Sequence, residues 1–240
     1  PGSFSASSRI TGLTISHLDE DRARVHAAQT CPRCGVEVRA PGLWSSAWEC
    51  PRHGSVAPYT VLTHTGPDAM DHVVQRAKVP VWLAGGLPGG WVCSGFAYAG
   101  DDRSGARATV TAMSGPSPLG GPAELMLIAE EPGVGLGSRH AGLAETDPGD
   151  GFGRGTADAK VIAAAHPTAM WSVPVAPDRA GFLGEAKGLW LWALVWPATA
   201  GVLMYDGLQL SDLRDLTAAR EVGFGSISPR LSAAPYKLSA

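Results

Sequence analysis

Two hydrophobic periods divide the chain. Ahead of Pro80 a single segment carries a helical stripe. In PDAMDHVVQRAKVP, Met70, Val73, Val74 and Ala77 recur at i, i+3, i+4 and i+7, which predicts a short helix opening after Pro67 and closing before Pro80. Beyond Pro80 the period becomes two. WVCSGFAYA (91–99) and ARATVTAMS (106–114) flank the turn-type sequence DDRSG and predict a hairpin. AELMLIAE (123–130), KVIAAA (160–165) and TAMWSV (168–173) predict further strands, the last two separated by His166 and Pro167. In LWLWALVW (189–196), Trp190, Trp192, Leu194 and Trp196 alternate with Leu189, Leu191, Ala193 and Val195. Both faces are apolar, so this segment predicts a central strand covered on both sides. VLMY (202–205) is expected to return along it as a hairpin partner, and SDLRDLTAAR (211–220) to close the chain as a helix with Ser211 at its N-cap. Residues 19–29 hold a frayed helix at most. No βαβ alternation occurs, so the expected class is α+β, mostly β: an antiparallel, curved sheet with one or two short helices.

Composition supports that reading. Glycine (31) and proline (19) penalise helix interiors, and only 17% of residues are charged, too few for long solvated helical faces. A net charge of −3 sets up no global field for nucleic acid or anionic lipid. The uncharged run 188–205, GLWLWALVWPATAGVLMY, reaches the lower length limit of a membrane span. Pro197 and Gly201 interrupt it, and its tryptophans lie in its body rather than at its ends, so buried strands and no membrane association are expected. Residues 1–30 lack a continuous apolar core and carry Asp19, Glu20, Asp21, Arg22 and Arg24, which argues against a conventional signal peptide.

The chemistry concentrates in one near-repeat, CPRCG at 31–35 and CPRHG at 50–54. C-x2-C, fifteen residues, then C-x2-H is the ligand spacing of a zinc ribbon. Two ligands two residues apart chelate one ion from a single turn. Pro32 and Pro51 stiffen those turns, and Gly35 and Gly54 allow φ > 0 after the last ligand. VEVRA and WSSAWEC supply the arms of a connecting hairpin. Cys31, Cys34, Cys50 and His53 would fill a tetrahedron, leaving no position for water or substrate, so the expected cofactor is a structural Zn2+. His53 in place of a fourth thiolate favours zinc over iron. Metal-type spacing together with an odd thiol, Cys93, points to a reducing, cytoplasmic compartment. Trp44 and Trp48 lie in the hairpin, and the 31–54 segment carries only Arg33, Arg39 and Arg52 against Glu37 and Glu49. Nucleic acid is therefore possible but not favoured as a partner.

Two glycine-rich stretches, EEPGVGLGSRH (130–140) and DPGDGFGRGTADAK (147–160), read as mobile loops. No helical pattern opens on the first, so it lacks the dinucleotide fingerprint, and the second lacks the G-K-[ST] ending of a P-loop. Arg139, His140 and Lys160 are nonetheless the residues on which an acyl- or phosphoryl-transfer site in loops 133–140 and 151–160 would rest. No nucleophile elbow is present, and Cys93, between Trp91 and Phe96 in an apolar strand, reads as an inert buried thiol.

The strings CPRCG…VRAPGLWSSAW, LP.GW…G.AYAGDDRSG.RAT, PLGGP.EL.L.AEEPGVGLG and GLWLWA..WP..AG.L.YD.L.L.DLRD over residues 31–231 resemble an actinobacterial family of unknown function. The resemblance implies a ribbon followed by a β-rich domain and no activity. It also sets apart the extension before Cys31, because members of that family begin just ahead of the first cysteine. A looser likeness of the second part, to β-rich domains of bacterial anti-sigma regulators, is one of fold alone. The expected organisation is a tail at 1–29, a zinc ribbon at 30–56, a helical connector at 57–79, the sheet domain at 80–231 and a tail at 232–240. The expected function is non-catalytic binding or regulation through a protein partner.

Overall fold

The computed structural model describes residues 29–43, 45–149, 152–215 and 222–232. The frayed helix expected over 19–28, Trp44 and positions 216–220 lie outside them. The elements are β1 (Glu49–Cys50), β2 (Gly54–Ser55), β3 (Tyr59–Val61), α1 (Pro67–Arg76), β4 (Trp82–Gly85), β5 (Val92–Asp101), β6 (Gly105–Pro116), β7 (Pro122–Glu130) and α2 (Leu136–Ala141). They continue with β8 (Ala159–Ala163), β9 (His166–Ser172), β10 (Ala180–Ala186), β11 (Leu189–Trp196), a 3-10 helix (Ala198–Tyr205), β12 (Gln209–Asp212) and a short 3-10 turn (Pro229–Leu231). The class is the expected one, mostly β with few helices. β1 and β2 form a separate two-stranded ribbon, and the rest build one open ten-stranded sheet in the order β3-β5-β6-β7-β11-β10-β9-β8-β12-β4. Every neighbouring pair is antiparallel except β12 with β8.

Local chemistry explains the central hairpin. The Asp101 carboxylate accepts from the Arg103 and Ser104 amides at 3.0 and 2.7 Å, closing the DDRSG turn between β5 and β6. Register shifts at Cys93/Gly95 and Ala99/Gly100 bend this pair. β11 lies between β7 and β10 and is covered on both faces, as its double alternation requires. Leu191, Ala193 and Val195 join one core together with Met70 and Val73 of α1, β4, β12 and the 3-10 helix. Trp192, Leu194 and Trp196 join the other, with Tyr59 of β3 and Leu136 of α2.

Three expectations are corrected and one is met. VLMY is not a strand but the end of the 3-10 helix, because both edges of β11 are already occupied by β7 and β10. Ser211 and Asp212 belong to β12 rather than opening a helix. Asp212 still bonds the Arg214 amide two residues on at 3.2 Å, so its capping chemistry closes a turn. α1 forms where the stripe predicts, with Pro67 in its first turn, and its buried Ala69, Met70 and Val73 face the sheet core. GVGLGSRH is loop only over its first three residues; from Leu136 it becomes the buried helix α2.

Candidate metal centre

The ribbon is built from two turns and one ladder. Arg39 and Glu49 exchange backbone hydrogen bonds at 2.9 and 3.0 Å, so VEVRA and AWEC run antiparallel as the pattern predicts. Glu49 and Cys50 then pair with Ser55 and Gly54, which folds the second knuckle back on itself. Gly35 and Gly54 take φ of 73° and 65°, the left-handed turn expected after each ligand pair. The result brings Cys31, Cys34, Cys50 and His53 together with all four ligand atoms within 4.8 Å of one another.

The separations fit one ion. Cys34 Sγ lies 3.6 Å from Cys50 Sγ, and His53 Nδ1 lies 3.4 Å from Cys31 Sγ and 3.6 Å from Cys50 Sγ. With metal–sulfur bonds of about 2.3 Å, the edges of a tetrahedral site are about 3.7 Å. The Arg52 amide donates to Cys50 Sγ at 3.4 Å, the N–H to sulfur contact that turns of this kind provide. Burial pushes the Cys31 thiol up to about 12. At Cys50 burial also acts upward, but the Arg52 and His53 amides and the neighbouring thiols outweigh it and hold the group below the ordinary thiol range. The site thus mixes one thiol that resists ionisation with one that favours it, and a bound dication is what stabilises thiolate at both. Val38, Trp48 and Val56 pack around the sulfurs.

The two knuckles face different surroundings. Thr30 and Tyr59 exchange backbone bonds at 2.9 and 2.7 Å, which joins the ribbon to the edge of the large sheet. Arg33 donates through Nη2 to the Gly133 carbonyl at 2.6 Å and through Nε to Val134 at 3.4 Å. Arg139 reaches from α2 to donate to the Cys31 carbonyl at 3.2 Å, over the Tyr59 ring at 5.2 Å. Arg33, Arg139, Thr30 and Tyr59 are therefore docking residues. The only sign of them in the sequence is that the arginine recurs in both pentapeptides. In the second copy, residues 51–55 are exposed.

The glycine-loop residues do not converge. The Leu136 and Gly137 amides, which a phosphate would need, are bonded at 2.7 and 3.2 Å by the buried carboxylate of Glu130. Trp192 Nε1 donates to the same carboxylate at 2.7 Å. A side chain at Gly137 would overlap the Trp192 indole, so this glycine serves close packing rather than a ligand. Arg139 and His140 are buried, whereas Lys160 is exposed on β8. His140 stacks edge-on to Tyr59 at 5.9 Å and has its pKa lowered to about 3, by burial first and then by Arg139 and Arg179.

With the ribbon stitched onto a curved sheet, the whole described body coincides with one family match. The chain belongs to DUF6758, a family of unknown function. The match spans residues 25–231, which takes in the metal cluster and all ten strands of the sheet. No curated protein and no solved structure matches the chain. No helix among the described residues is long and apolar enough to cross a membrane.

Proposed function

We propose that this DUF6758 chain is a cytoplasmic, non-catalytic binding protein in which a structural zinc ion holds the ribbon in shape for a protein partner. The closed ligand set carries the reading. Three sulfurs and one imidazole at tetrahedral spacing leave no coordination position for a substrate, which is the pattern of a folding site rather than a reactive one. Zinc is favoured by the imidazole among thiolates, and the four free cysteines suit a reducing compartment.

The exposed side of the ribbon is the surface offered. Leu43, at the hairpin tip, is 99% exposed, and the second knuckle from Pro51 to Ser55 is exposed as well. A nucleic-acid role is weakened by the placement of the arginines. Arg33 is committed to the body, Arg39 pairs with Glu49, and only Arg52 remains, so no basic stripe forms. The enzyme alternative is weakened because Arg139 and His140 are buried in α2 whereas Lys160 is exposed on β8.

Affinity capture from the source organism, with the intact chain as bait, tests the reading. The expected result is a protein partner that is retained by the wild type and lost by both Leu43→Asp and Cys50→Ser, with Leu43→Asp keeping the wild-type melting temperature. Identical retention by all three baits would remove the ribbon from the interaction.

A further inference from the structure

A second site lies on the sheet, away from the metal. Residues 143–148, the turn 152–158 and the outer end of β9 enclose a cleft of about 510 Å³, within the range of small-ligand sites. Its apolar wall is built around Phe152 and Trp171. The Phe152 ring sits edge-to-face against Trp171 at 5.3 Å and against Trp190 at 5.1 Å. Trp171 Nε1 is bonded to the Gly155 carbonyl at 3.4 Å, which fixes the indole plane.

The polar wall is acidic. Among the described residues, Glu145, Asp147 and Asp158 line the cleft against a single guanidinium, Arg154. The aspartates are held by neutral donors. Asp147 Oδ1 accepts from the Gly133 amide at 2.9 Å and from Trp190 Nε1 at 3.1 Å, and Asp158 Oδ2 accepts from the Ser172 amide at 2.8 Å. None of the three carboxylates is in a salt bridge among the described residues. They also do not close up to metal-ligand spacing, since the cysteine–histidine set is the one such group among the described residues.

We propose that this cleft binds an organic cation: an ammonium or guanidinium group carried on an apolar body. Aromatic faces attract a cation through the ring quadrupole, and uncompensated carboxylates supply the counter-charge. The room is too large and the oxygens too spread for a bare metal ion, while an anion would meet the acidic wall. The wall is also tied to the ribbon. Arg33 holds the Gly133 carbonyl, and the Gly133 amide holds Asp147.

The test is an NMR titration of the intact protein, following the Trp171 indole N–H. Choline is compared with dimethylbutanol, its uncharged carbon isostere. A parallel arm with N-acetyl-lysine methylamide separates a peptide side chain from a free amine as the source of the cation. At least one cation is expected to saturate the site at about 1 mM or below, with dimethylbutanol about tenfold weaker. Trp171→Ala, read on the Trp190 indole N–H that Asp147 holds, and the isosteric Glu145→Gln, at unchanged melting temperature, should each weaken binding about three- to tenfold, and added salt should weaken it further. Equal binding of choline and dimethylbutanol would overturn the proposal. So would a Trp171 signal that stays unmoved at about 20 mM of both cations.

Discussion

Glu130 is the residue on which α2 and the central strand meet. Its carboxylate is fully buried and accepts from two α2 amides and one indole. Burial raises its pKa to about 7 despite those donors. The folded state therefore holds this proton more tightly than the unfolded chain, and the group adds stability as pH falls from about 7 towards the ordinary 4.5. His140 works in the opposite sense. Its folded pKa of about 3 lies below the ordinary 6.5, so its contribution is present above 6.5 and is lost as pH falls towards 3. Between 4.5 and 6.5 the two offset one another. Glu130→Gln replaces one acceptor oxygen with an amide NH2 facing N–H donors and should cost about 1–3 kcal/mol. It should also steepen the loss of melting temperature on acidification below pH 7, because the Glu130 contribution no longer offsets that of His140. Melting curves parallel to the wild type across that range would contradict this account. The E-E-P-G-V-G-L-G stretch gives no hint of such a role. Adjacent residues of a strand point to opposite faces, but that does not say which glutamate turns inward, and the burial of Glu130 goes with the packing of Trp192 sixty-two residues away.

At the scale of elements, local pattern was informative where the pattern itself is the cause. The α1 stripe, the β5–β6 hairpin with its Asp-led turn, the doubly apolar β11 and the ligand spacing were all legible, because period, turn chemistry and chelation are short-range properties. β10 was missed: AGFLGEA is poor in β-branched residues. Its Gly181 and Gly184 are glycines because Val175 and the Ala169 backbone approach too closely for a side chain. β3 and β12, of three and four residues, were missed because their pairing is set by distant partners. The ribbon's attachment was illegible for the same reason, since carbonyls of residues 31, 133 and 134 become acceptors only once the fold is complete. That attachment has a testable consequence. Hydrogen exchange after chelation should rise across residues 30–56 and also in β3 and residues 133–139, while β6, β7 and β11 stay protected. A rise confined to the ribbon would show that the docking contacts do not depend on the ion.

At the scale of the molecule, the sheet is the body and the ribbon is an attachment too small to supply a core of its own. Among its described residues the buried hydrophobic cluster is Cys31, Val38 and Cys50, two of them candidate ligands. Structural zinc contributes on the order of 10–16 kcal/mol in such peptides, far more than that cluster. On the proposed reading a bound metal, rather than the hydrophobic effect, would fix the outward-facing hairpin, and the proposed role of the ribbon depends on it. Native mass spectrometry of the freshly purified protein tests this most directly. The account predicts one zinc ion per chain, lost together with ribbon structure in Cys31→Ser. Less than one equivalent of bound zinc in the folded wild type would contradict it.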